Sequence, residues 1–168
     1  MSLPVYPQIQ SFVDYLKFEQ RYSAHTIRSY QDDLIKFFDF LEIQYGNLAL
    51  TEISLSFVRS WLAFLKENKL TSKSINRKIS SLRSFFKYQL KTGTIEDTPM
   101  TNVITPKVSK RLPSYVTERD TETLFKYIEF PDNWEGRTDR LLLAVFYNTG
   151  IRLSELINLK ENQVNDSN

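Results

Sequence analysis

The sequence predicts a mainly α protein, with a four-helix domain, a short linker and a second, smaller helical segment. Three observations carry this. Apolar residues recur at spacings of three and four over long stretches, the period of a helix with one buried face. Only four glycines and six prolines occur in 168 residues, few for a β-rich chain that depends on tight turns. Pro99, Pro106 and Pro113 punctuate a polar, basic stretch from Thr98 to Ser114 that cannot sustain a helix. At 41% hydrophobic and 14% aromatic residues, the chain has ample material for a core.

The first helix is expected from about Tyr6 to Arg21, with Ile9, Phe12, Val13 and Leu16 on one face. Ser23 is placed to cap the second, whose stripe is Ile27, Tyr30, Leu34, Phe37, Phe38 and Leu41 and which ends near Gly46. A third begins around Ser54 and presents Val58, Trp61, Leu62 and Leu65, and Asn68 to Ser72 reads as a turn. The fourth carries Ile75, Ile79, Leu82, Phe86 and Leu90, and Gly93 stands where a C-cap would stop it. The stretch from Thr98 to Ser114 is thus expected as a linker between a four-helix domain and a second segment. That segment opens with a helix from Thr117, its N-cap, to about Ile128, with Glu118 and Asp120 favoured in the first turn by the helix dipole. Another spans about Thr138 to Asn148 with Leu141, Leu142, Val145 and Phe146, Gly150 breaks it, and a short helix resumes through Ile157. This half offers little core and is expected to lack further elements.

Several classes are disfavoured. The absence of cysteine removes disulfides, thiolate zinc sites and cysteine nucleophiles, and fits a reducing interior. The longest apolar run, Leu141 to Tyr147, falls far short of the roughly 20 residues that span a bilayer. Met-Ser-Leu-Pro-Val-Tyr-Pro lacks the parts of a signal peptide, so a cytoplasmic protein is expected. No Gly-x-x-x-x-Gly-Lys, no Gly-x-Gly-x-x-Gly and no cluster of His with carboxylates occurs, so no cofactor and no metal are expected. Asp32, Asp33 and the stretch Asp132 to Glu135 read as solvated acids.

The net charge of +2 conceals an asymmetry. Thr71 to Arg111 holds nine Lys and Arg against Glu96 and Asp97, a net +7, and the remainder is −5. Thr71 to Lys91 has six basic residues and no acid. A helix apolar on one side and cationic on the other can dock on its scaffold and meet a row of phosphates. Asn76, Arg77 and Ser81 are placed to reach base edges, and Lys73, Lys78, Arg83 and Lys87 to hold phosphates. Ser74 is a short polar group that lets a partner come close, and Lys107, Lys110 and Arg111 extend the charge into the linker. A solvated face would mix signs, and a membrane-surface helix would expose large apolar residues.

His25, the one histidine, reads on its own as a surface residue near a helix start. With Thr26 and Arg28 it can approach DNA there, where backbone N–H groups favour phosphate. Arg152 follows the Gly150 break on a new helical turn, with Glu155 three residues on. On chemistry alone the two read as a surface ion pair worth about 0.3–0.5 kcal/mol.

Four stretches, in order, resemble the tyrosine recombinase and phage integrase family, in particular its Xer-like branch. They are Glu19–Leu34, Thr71–Phe86, Pro106–Pro113 and Tyr147–Leu156, the last reading Tyr-Asn-Thr-Gly-Ile-Arg-Leu-Ser-Glu-Leu. The resemblance implies a SAM-like core-binding domain over residues 1–105, a linker over 106–116 and the start of a catalytic domain over 117–168. It implies that Arg152 is the first catalytic arginine, which binds the scissile phosphate, and that Glu155 supports it. It also implies a lysine on a β-hairpin, a His-x-x-Arg pair, a second His or Trp, and a tyrosine nucleophile. No arginine or histidine follows Arg152, no tyrosine follows Tyr147, and Lys160 lies too near the helix to match the hairpin lysine.

The expected function is therefore that of a DNA-binding fragment of a site-specific recombinase, which in full length cuts and rejoins DNA through a 3′-phosphotyrosyl intermediate. This chain is expected to bind a duplex recombination site without cleaving it. The resemblance further implies a full-length tetramer on synapsed DNA, with itself or a paralogous recombinase, and a monomeric fragment in solution. Two other classes fit the same charges: a non-enzymatic DNA-binding regulator and a helical protein-interaction module.

Overall fold

A computed structural model describes residues 6–109 and 114–163, and every assigned element among them is helical. The chain divides into two compact units, Met1–Lys110 and Arg111–Asn168.

In the first unit, α1 (Pro7–Asp14) opens with proline at its first position, where the missing N–H has no partner to lose. It widens into a π-helical turn over Tyr15–Glu19. Arg21, at φ 53°, turns the chain into α2 (Ala24–Tyr45). The Ser23 side chain accepts the Thr26 N–H at 3.2 Å, and Gly46, at φ 81°, ends the helix, both as the sequence predicts. After a 3-10 turn at Leu50–Glu52 comes α3 (Leu55–Glu67). Thr71 then caps α4 (Ser72–Lys91), its hydroxyl accepting the Ser74 N–H at 3.3 Å. Thr71→Ala is expected to lower stability by about 1 kcal/mol, read by urea denaturation.

These helices close on an aromatic core. Phe37 meets Trp61 at 5.1 Å between ring centroids, and Phe12 meets Phe85 edge-on at 5.5 Å. Such tilted pairs add to the burial of the rings themselves. The buried stripe of α4 differs in part from its prediction. Ile75, Ile79, Leu82 and Phe86 are buried as expected, but Phe85 is fully buried and Leu90 is 41% exposed. Lys78, Ser81 and Gln89 complete the inner face, so α4 buries a wider arc than its apolar residues alone mark out. Ile95, Met100 and Val103 carry the same core past the end of α4.

The second unit holds α5 (Glu118–Tyr127), α6 (Trp134–Thr149) and α7 (Leu153–Leu156). Thr117 caps α5 by accepting the Asp120 N–H at 3.2 Å. In return the Thr117 hydroxyl and N–H donate to the Asp120 carboxylate, which holds that carboxyl below the usual range. Helix α6 starts one turn earlier than the apolar period suggests. Asn133 accepts the Gly136 N–H at 2.8 Å, and the first turn, Trp134 to Arg137, buries no apolar side chain that the period could mark. Gly136 is required by close approach, since a Cβ there would lie 2.1 Å from the Pro131 carbonyl oxygen. Gly150 ends α6 in the left-handed conformation at φ 63°. Leu156 is the one buried large hydrophobic of this unit among the described residues, while Leu141, Phe146 and Trp134 are exposed.

Candidate nucleic-acid interface

The outward face of α4 carries Lys73, Arg77, Ser80, Ser84, Lys87 and Lys91, at spacings of four, three, four, three and four. That spacing puts them on one strip of the helix, about 27 Å long at 1.5 Å per residue. The four cations on it are exposed, Ser84 is half-buried, and no carboxylate occurs anywhere on the helix. Lys73, Arg77, Arg83 and Lys87 thus stand on the surface where the sequence expected them. At its C-terminal end the strip borders an open cleft lined by Tyr15, Tyr22, Ser84, Lys87, Tyr88 and Lys91 among others.

Beneath the strip lies a group that sequence reasoning misplaced. Asp33 of α2, read as a solvated acid, is 1% exposed. Its Oδ2 accepts from Arg77 Nη1 at 2.5 Å and from Ser81 Oγ at 2.9 Å. Its Oδ1 accepts from Arg77 Nη2 at 2.8 Å and from Lys78 Nζ at 2.7 Å. Two bonds to each oxygen complete what a carboxylate can accept. The signal was available: Asp33 sits three residues after Tyr30 and four before Phe37, inside the apolar stripe of α2.

This group corrects two expected DNA contacts. Lys78 is 4% and Ser81 3% exposed, and both point inward to Asp33, so neither reaches a phosphate or a base edge. Lys78 also lies under the Trp61 ring, at 5.9 Å from its centroid. Arg77 is bound to the same carboxylate but keeps its side chain 52% exposed.

Two further candidates hold the chain that follows α4. Asn76 donates from Nδ2 to the Pro106 carbonyl at 2.9 Å, and Arg83 donates from Nη2 to the Val103 carbonyl at 2.8 Å. They fasten residues 103–106 along α4 and set the exposed Lys107, one residue further on, beside it. Ser74 is half-buried, with its hydroxyl 3.0 Å from that of Thr71. His25 and Arg28 are exposed at the start of α2, and Thr26 takes part in the Ser23 cap, its hydroxyl 2.9 Å from Ser23 Oγ. Lys110 and Arg111 lie outside the described residues.

In the second unit, Arg152 is the residue before α7, with its side chain 81% exposed. Glu155 takes both its backbone N–H, at 3.0 Å, and its Nη1, at 2.8 Å. The i,i+3 pair expected from the sequence forms, and the carboxylate holds Arg152 at its backbone and at one guanidinium nitrogen, which leaves the guanidinium open to solvent.

Residues 9–93 match the family model described as the phage integrase N-terminal SAM-like domain. Two proteins of Staphylococcus aureus, from strains bovine RF122 / ET3-1 and MRSA252, are each 39% identical over 155 residues and carry the name tyrosine recombinase XerC. The match covers 92% of this chain and 51% of each relative. The chain belongs to the tyrosine recombinase family, on its Xer-like branch. It spans about half the length of the curated relatives it matches. Among solved structures, the Tn1549 transposon integrase in complex with circular intermediate DNA aligns at a TM-score of 0.67 with 18% identity. That alignment covers 96% of this chain and 52% of that one. The integrase of mycobacterium phage Brujita aligns at 0.57, also with 18% identity, over 89% of this chain and 47% of its own. At such identity these two show the fold, a SAM-like helical domain with a helical unit after it.

The helix with the one-signed face, α4, lies inside the matched SAM-like region, and Arg152 lies outside it. Among the described residues no three His, Cys, Asp or Glu side chains gather to hold a metal ion. No helix among them is long and apolar enough to cross a membrane.

Proposed function

We propose that this chain is the DNA-binding part of a site-specific tyrosine recombinase, and that by itself it binds a duplex recombination site without cleaving it. The observation that carries the reading is the outer face of α4, a strip of exposed cations on a helix with no acid. Such a strip would repel itself unless an anion answered it, and duplex DNA supplies a dense row of phosphates. Its cations lie on one rigid helix packed on an aromatic core, so docking freezes little backbone.

In this reading residues 1–105 are the core-binding domain, 106–116 the linker and 117–168 the start of the catalytic domain. Arg152 binds the scissile phosphate and Glu155 positions it, a role suited to an exposed guanidinium held by a carboxylate. The transesterification of the longer recombinase keeps the phosphodiester energy in a phosphotyrosyl bond, so it draws on no nucleotide and no metal. That step needs a tyrosine hydroxyl beside the bound phosphate. These 168 residues hold none beyond Tyr147, which lies before the arginine on α6. The longer protein would act as a tetramer on two synapsed sites, with itself or a paralogue.

Binding of the chain to a duplex, titrated against salt, tests the first half. About six phosphate contacts give a slope of log K on log salt near −5, and a slope near zero rejects the assignment. Incubation with a nicked suicide substrate tests the second half. No covalent adduct is expected on a denaturing gel, and an adduct would overturn the claim of inactivity.

A further inference from the structure

We propose that Asp33 and Lys78 form a buried counter-ion pair that holds the Arg77 guanidinium in a fixed pose toward a phosphate without cancelling its charge. The proposal rests on the reading of α4 as the DNA face.

The geometry is that of a fork. Arg77 gives both Nη atoms to the two oxygens of Asp33, which fixes the plane of the guanidinium. Its Nε–H and outer Nη hydrogens remain for a second acceptor, and the side chain is 52% exposed on the cationic strip. A long, free arginine would lose rotamer entropy when it docks; here that ordering has already taken place.

An aspartate and an arginine alone would present no net charge to a phosphate. Lys78 changes the sum. Its ammonium lies 2.7 Å from Asp33 Oδ1 with a side chain 6% exposed, so it meets the carboxylate and never the DNA. Two cations then share one anion, and the cluster keeps a net +1 whose exposed member is Arg77. In a medium less polarisable than water this offset acts at close range. Lys78 occupies a core position of α4 between Ile75 and Leu82, where an apolar side chain would avoid the desolvation of an ammonium. A charge placed there against that penalty is explained by what it does to Arg77.

The test is salt-dependent binding of the whole chain to a labelled mixed-sequence duplex, with folding followed by circular dichroism. Lys78→Met removes a cation that cannot touch DNA and leaves Asp33 bound to Arg77 and Ser81. The expected result is binding about tenfold weaker at physiological salt and a slope shallower by about 0.9, the loss of one phosphate contact. Lys87→Gln, at an exposed cation, sets the size of one contact for comparison. The pair Asp33→Asn with Lys78→Met restores the cluster to +1 but loosens the fork. It is expected to recover the unsubstituted slope while binding about threefold more weakly, from the renewed freedom of Arg77.

Unchanged slope and affinity in Lys78→Met would overturn the proposal. So would a double variant as shallow as Lys78→Met, because the loss would then come from structure and not from charge. Should Lys78→Met fail to fold, the double variant, which buries no charge, decides alone: affinity equal to the unsubstituted chain refutes the fixed pose. Absence of salt-dependent binding in the unsubstituted chain is a different result. It rejects the α4 reading itself, and this proposal with it.

Discussion

Reversing two charges on the open strip, Lys73→Glu with Lys87→Glu, is expected to weaken duplex binding about a hundredfold at physiological salt and to flatten the salt slope by about two. Each substitution removes one phosphate contact and places a carboxylate where the phosphate would lie. Both side chains are exposed and make no hydrogen bond with the rest of the described chain, so the fold is expected to melt as before. These two positions make a cleaner test than the arginines. Arg77→Glu would set a second carboxylate against Asp33, and Arg83→Glu would release the Val103 carbonyl, so each would confuse binding with folding. The affinity change should hold for any mixed-sequence duplex, because phosphate contacts position a protein without reading bases. Filter binding or fluorescence anisotropy over a salt series measures both quantities. An affinity within threefold of the unsubstituted chain would remove α4 from the interface.

Local chemistry was legible in the sequence, and long-range pairing was not. The caps at Ser23 and Thr117 and the stops at Gly46, Gly93 and Gly150 act within a few residues, so their signal is short-range. The stripes of α1, α2 and α3 follow the same logic, since one face of a helix is written in its own spacing. Asp33 is different in kind. Its partners lie 44 to 48 residues away, and nothing near it in the chain marks them. What could be read is that an acid stands in an apolar stripe, and that Lys78 stands in another, three residues after Ile75 and four before Leu82. Two opposite charges on two buried stripes are a candidate pair, because neither tolerates burial alone. Taking every cation of α4 as exposed overlooked this and assigned Lys78 to DNA. The ties from Asn76 to Pro106 and from Arg83 to Val103 were hidden for a related reason: a backbone carbonyl belongs to every residue and leaves no mark in sequence.

The largest effect on stability is expected from Asp33→Ala, at about 3–5 kcal/mol. The substitution removes the acceptor of four hydrogen bonds at a site with 1% exposure. Arg77, half-exposed, can turn to water, and Ser81 keeps an alternative in the Arg77 carbonyl at 3.3 Å. Lys78 has neither choice. Its ammonium stays within the core beside Trp61 with no anion, and it must either draw in water, lose its proton or open the packing of α2 against α4. The penalty therefore belongs to the stranded lysine more than to the lost aspartate. A second substitution separates the two: Asp33→Leu with Lys78→Met should recover most of the loss, since it replaces an ion pair by apolar groups of similar volume. Urea denaturation followed by circular dichroism measures each variant. If the double variant proves as unstable as Asp33→Ala, the four bonds to Asp33, and not the charge of Lys78, hold α2 and α4 together.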